Sequence, residues 1–286
     1  MHRRDLVSLT ALATIALTLG VGCPEEQKPP APGAKPTTTG AAPTGTMAAT
    51  PPKPTAAAAA PTGNGTIKGV VSFTGKAPEM KVPTKRKDAD VCKDKDVTYN
   101  AVLTKDGKLQ DVLVRIEPGG VKGDFKAPDK HAVVDQHYCM YEPRIQGVVA
   151  GQDVDIKNSD GTLHNVHTYK GTESLFNQAQ PKGSDPMTKQ WEDPGVIKFT
   201  CDVHPWMRGF VVVTDHPFFA VSGADGSFTI EKIPAGKYTV EAWHTYYGMK
   251  KAEVTVADDK PAELTFSYDG TEAAPDWNKD ELKGLW

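Results

Sequence analysis

The sequence predicts an all-β protein. Short runs rich in Val, Ile, Thr and aromatic residues recur between clusters of Gly, Pro, Asp and Asn, as at 66–73, 110–116 and 236–243. No stretch repeats apolar residues at helical spacing. A third observation limits where the folded part lies. Residues 24–65 are Pro, Ala, Thr, Gly and Lys with almost no large apolar side chain. Such a segment cannot bury enough surface to offset its ordering entropy.

The chain has 286 residues and opens on a basic Met1-His2-Arg3-Arg4. An apolar run follows from 6 to 22 and ends at Cys23. This reads as an export signal over 1–22, with lipoprotein-type cleavage and acylation of Cys23. Gly20-Val21-Gly22 precede the cysteine, and Leu19 stands one place earlier than the usual lipoprotein pattern. An ordinary cleaved signal or an uncleaved anchor is the alternative, and every version exports the protein. The expected place is the periplasm or cell envelope, with membrane contact only through the lipid on Cys23. Residues 23–65 then form a disordered linker, spanning roughly 40 Å as a coil and roughly 140 Å fully stretched.

Residues 66–268 are long enough for two small β-sandwiches. The chemistry concentrates in the middle. Cys201, His204 and Met207 stand at Cys-x-x-His-x-x-Met, and His164-Asn165-Val166-His167 lies upstream in a strand-like run. Ile197, Phe199 and Cys201 alternate with Lys198 and Thr200, so the thiol turns inward with the apolar face. By the same parity His164 shares the inward face with Val166, and His167 points outward. Pro205 stiffens the turn, and 209–213 restarts a strand. Two imidazoles, a thiolate and a weak thioether make a type 1 copper ligand set: His164, Cys201, His204 and Met207.

Cys-x-x-His-Pro-aromatic-Met-Arg-Gly followed by valines resembles the ligand loop of the amicyanin and plastocyanin-like blue-copper proteins, the cupredoxins. The His-Asn-Val-His run, 140–143 and 149–154 match the same family, over roughly 130–214. The resemblance implies a Greek-key sandwich over 121–214 holding one copper ion. It implies that Asn165 ties the two ligand loops together near the thiolate. It also implies that the His204 edge, with Pro205 and Trp206, forms an apolar docking patch for a redox partner. Residues 170–190 read as a polar loop unlike the family.

The runs 224–230 and 233–240 resemble the carboxypeptidase regulatory-like domain, a transthyretin-like sandwich. Asp225-Gly226 and Pro234-Ala235-Gly236 supply its tight turns. Its opening strands resemble 65–75 and 111–116. This implies a split sandwich, 66–120 with 215–268, into which 121–214 is inserted; tandem domains are the alternative. Residues 269–286 form a mixed-charge tail with Trp277 and Trp286.

Four cysteines remain to be assigned. With Cys23 lipidated and Cys201 on copper, Cys92 and Cys139 pair as a disulfide in an oxidising compartment. A second metal site from His137, Cys139 and Met140 is the competing reading. The net charge of −3 and the Asp interleaved among Lys81–Lys95 imply no nucleic-acid partner. Thr200 and Asp202 flank Cys201, so no histidine bridges to a second copper centre, and no nucleophile–base set is visible. The expectation is a monomeric electron carrier rather than an enzyme. A copper buffer, sensor or chaperone, or a structural or adhesive lipoprotein, are the alternatives.

Overall fold

The computed structural model describes residues 62–79, 88, 90–92 and 101–272. The expected signal segment, Cys23, nearly all of the expected linker and the tail beyond 272 lie outside the described residues. Among the described residues every regular element is a strand. The first are β1 (Gly65–Phe73), β2 (Thr104–Lys105), β3 (Lys108–Leu109) and β4 (Val112–Ile116). Next come β5 (Ala132–His137), β6 (Met140–Glu142), β7 (Ile145–Val149), β8 (Val154–Asn158) and β9 (His164–Lys170). β10 (Glu173–Gln180), β11 (Met187–Lys189), β12 (Gly195–Thr200) and β13 (Arg208–Thr214) follow. The last are β14 (Phe219–Val221), β15 (Ser227–Ile233), β16 (Gly236–His244), β17 (Gly248–Val256) and β18 (Ala262–Tyr268).

Pairing sorts these strands into two sets. β1 takes β15 antiparallel and β18 parallel, with β3 and β2 continuing that sheet. A second sheet runs β14-β4-β16-β17. Strands β5 to β13 make the orders β10-β9-β12-β13-β7 and β11-β8-β5-β6. The flanking strands thus pair with one another across the sequence, and the middle strands pair among themselves.

Each set encloses its own apolar core. Ile67, Val71 and Phe73 of β1 turn inward while Lys68 turns out, which joins them to Leu109, Phe228 and Phe266 in one core. Val134, Ile156, Val166, Ile197, Phe199 and Val211 fill the other. Alternating apolar strands bury one face because water is excluded from only one side. The two sets also meet. Leu113 and Trp243 from the first pack on Ile145, Phe210 and Val212 from the second. Arg144 reaches across, donating to Ala101 O at 2.8 Å and Thr245 Oγ1 at 2.9 Å.

The segment 170–190 departs from the expected polar loop. It contains β10 and β11, with β10 paired along β9 from Glu173↔Lys170 to Gln180↔His164. Most of β10 is exposed. A solvent-facing outer strand needs no apolar alternation, so its sequence reads as a loop.

Candidate metal centre

The site lies at one end of the second core, where β9 begins and β12 ends. His164 opens β9, and Cys201 follows the last residue of β12. The turn after Cys201 brings His204 back over the thiol, and the Met207 amide donates to His204 O at 2.9 Å. His164 Nδ1 and His204 Nδ1 stand 2.8 Å apart, and each lies near Cys201 Sγ, at 3.9 and 3.8 Å. His164, His204 and Met207 are fully buried, and Cys201 is 1% exposed. Met207 packs in the same core cluster as Cys201 and Trp206.

The outer nitrogens decide the tautomers. His164 Nε2 sits 2.8 Å from Asp160 Oδ2, and His204 Nε2 sits 3.2 Å from Asp88 Oδ2. An ionised carboxylate only accepts, so each imidazole carries its proton on Nε2. Once their own protons are removed, both Nδ1 atoms present lone pairs to each other and to the sulfur. Two lone pairs this close repel unless a cation stands between them, a proton in the metal-free site or a metal ion in a loaded one. The point equidistant from the three donor atoms lies about 2.1 Å from each, within the roughly 2.0–2.3 Å of nitrogen and thiolate bonds to a zinc-sized ion. The donor set therefore fits a small, thiophilic d-block cation.

Electrostatics prepare the same point. Burial alone pushes the Cys201 thiol up, but hydrogen bonds from His164, His204 and the Asn165 amide outweigh it and bring it from 9.0 down to about 6. Burial likewise opposes ionisation of Asp160, yet hydrogen bonds from His164 and the Cys139 and Tyr138 amides hold its carboxyl below the usual range. Burial disfavours a charged His164, and the hydrogen bonds to Asp160 and Cys201 raise it on balance.

Asn165 joins the two loops. Its amide donates to Cys201 Sγ at 3.5 Å, and its side-chain oxygen accepts from the Asp202 amide at 2.6 Å. Its Nδ2 donates to Asp202 Oδ2 and Asn177 Oδ1. His167 lies outside the donor cluster, with Nδ1 3.2 Å from Asp202 and Nε2 2.9 Å from Ser174 Oγ. Cys92 and Cys139 form a disulfide with S–S 2.01 Å. Cys139 lies close to Asp160 and His164, but its sulfur is bonded to Cys92 and is no thiolate donor. That removes Cys139 from a second site with His137 and Met140.

The docking patch is corrected. Pro205 is exposed, but Trp206 is buried, donating its indole N–H to Cys139 O at 3.0 Å with its ring 5.0 Å from that of His204. An indole gains more by filling the core with its N–H satisfied than by facing water. His204 is no solvent edge either, because Asp88 covers its outer nitrogen. The open surface near the site is instead a pocket of about 460 Å³ lined by Tyr169, Lys198, Thr200, Cys201, Asp202, Pro205 and Arg208.

Sequence reasoning missed Asp88, Asp160 and Tyr141. The Tyr141 hydroxyl donates to Asn165 O and Thr200 O, bracing the two strands that carry the ligands. Asp88 stands 116 residues before His204, and no spacing rule links them. Asp160 was within reach: it stands four residues before His164, in the Asn158-Ser159-Asp160-Gly161 turn.

No family model and no curated protein matches this chain. Several solved structures are similar over part of it. A purple cupredoxin from Nitrosopumilus maritimus is 26% identical over 29% of this chain and 99% of its own, with a TM-score of 0.27. Amicyanin from Paracoccus versutus is 22% identical over 35% of this chain and 96% of its own, with a TM-score of 0.27. A pseudoazurin from Sinorhizobium is 21% identical over 30% and 75%, with a TM-score of 0.26.

Proposed function

We propose that this protein is a type 1 copper electron carrier of the cell envelope. One observation carries the reading: two imidazole nitrogens and a thiol lowered to about 6 converge on one point at metal-ligand distances. Copper bound there would cycle between Cu(II) and Cu(I), accepting one electron from a reduced partner and passing it to an oxidised one. His164, Cys201 and His204 would hold the ion, with Met207 as the weak fourth ligand that tunes the potential. The surrounding core excludes water and keeps the ligands from rearranging between the two states. The disulfide supports an oxidising compartment. Pairing of β1 with β15 and β18, and of β4 with β16, supports residues 121–214 as an insertion into a sandwich built from 66–120 and 215–268.

A copper-releasing chaperone needs a ligand that an acceptor can reach. No ligand residue here exceeds 1% exposure, which favours retention and electron transfer. The pocket over Cys201 favours that side as the point of partner approach. Lys198 and Arg208 in its wall suit an acidic partner surface. The test is the spectrum of the copper-loaded oxidised protein. Intense visible absorption from a thiolate–copper bond is expected in the parent and absent in Cys201→Ser. A colourless copper complex of the parent would refute the reading.

A further inference from the structure

The two imidazoles of the site are each gripped from behind by a carboxylate, and both grips lead back to one disulfide. Asp160 holds His164 Nε2 at 2.8 Å. The same carboxylate accepts the amides of Tyr138 and Cys139, each at 2.8 Å. Those two residues form the two-residue turn between β5 and β6, both at positive φ, 54° and 55°. A non-glycine pair there is strained, so the turn persists because something holds it. Asp88 holds His204 Nε2 at 3.2 Å and accepts the Thr162 hydroxyl at 2.9 Å. Its backbone oxygen accepts the amides of Val91 and Cys92, both at 2.9 Å. Cys92 and Cys139 are bonded to each other. From the sulfur pair, one short turn leads to each carboxylate and on to each imidazole.

We propose that the Cys92–Cys139 disulfide anchors a double carboxylate clamp, in which Asp88 and Asp160 are positioning residues that fix both imidazoles for the metal. The proposal rests on the metal-site reading above. A carboxylate behind an imidazole locks its proton on the far nitrogen, turns the ring, and makes the near nitrogen a stronger donor. It also favours the more highly charged state of a bound ion, and so lowers the reduction potential. The clamps are unequal. The Asp160 side chain is 7% exposed and that of Asp88 is 42%, so water screens Asp88 more. Asp88 stands four residues before Cys92 and not on a ligand strand, and Cys92 is bridged to Cys139 across 47 residues, so its reach to His204 depends on that bridge.

The full chain decides this in a double-mutant cycle. Copper affinity is measured by competition with a chelator in the parent, in Asp88→Ala, in the Cys92→Ser/Cys139→Ser pair, and in all three substitutions together. Asp88→Ala is expected to weaken binding roughly 10–100-fold. The serine pair is expected to weaken it by a similar factor, and the combination by no more than the larger single loss. Losses that multiply, or an Asp88→Ala variant that binds like the parent, overturn the proposal. Reduction potentials give a second readout. Asp160→Asn and Asp88→Asn should both raise the potential, Asp160→Asn by more; an unchanged potential or the reverse order overturns it. If the serine pair does not fold, the Asn variants decide the matter alone. Colourless copper binding that still obeys the cycle would refute electron transfer and leave the clamp standing.

Discussion

At the residue scale, the site is governed by the proton of one buried thiol. Hydrogen bonds to Cys201 overcome its burial and lower it to about 6, against an ordinary 9.0. In the metal-free protein the thiolate absorbance should therefore persist down to about pH 6 and vanish below it. Cys201→Ser supplies the blank. Because the folded group binds its proton less tightly than the unfolded one, it contributes stability that is full above the ordinary value and is lost as pH falls through the lowered one. Metal-free protein should thus become more stable as pH rises from about 6 toward 9.0. A flat stability profile in that window would show that the hydrogen bonds do not hold the thiol below its ordinary value. Asn165 is the second residue with a sharp consequence. Asn165→Ala leaves the Asp202 amide without its 2.6 Å acceptor and frees the Cys201 loop from β9. Unfolding should cost about 1–3 kcal/mol less, as read by denaturant titration.

At the element scale, β13 restarts against the side of the site. Gly209 pairs with Phe199, and a Cβ placed on it would lie 2.7 Å from Tyr141 Cβ. Tyr141 cannot yield, since its hydroxyl bonds to both Asn165 O and Thr200 O. Gly209→Ala is therefore expected to destabilise by about 1–3 kcal/mol through overpacking, measured by thermal unfolding of the metal-free protein. A wild-type midpoint would show that the strand slides without cost. β10 shows the opposite case. It adds an exposed strand to β9 with little apolar content, so its existence depends on backbone pairing and on polar contacts such as Asn177 Nδ2 with Asp202 Oδ2 at 2.8 Å.

At the scale of the whole molecule, the two strand sets are joined by an apolar contact rather than by a linker alone. Leu113 is fully buried in that contact, in one cluster with Phe210 and Trp243. Leu113→Ala should cost about 2–4 kcal/mol. Far-UV and aromatic near-UV signals should fall together, since both sets lose the same support. Two separated transitions would show instead that the sets unfold independently.

What the sequence determined by itself is local. The all-β class, the inward parity of His164 and Cys201, and the Cys-x-x-His-x-x-Met loop follow from side-chain period and turn residues within a few positions of each other. The pairing of Cys92 with Cys139 followed from what the other cysteines were assigned to, not from spacing. Only the tertiary structure decided which groups stand behind the ligands. Asp88 reaches His204 across 116 residues, and Trp206 turns into the core because Cys139 offers its carbonyl there. A hydrogen bond depends on direction and a few ångströms of distance, and chain folding sets both over separations that periodicity along the sequence does not encode.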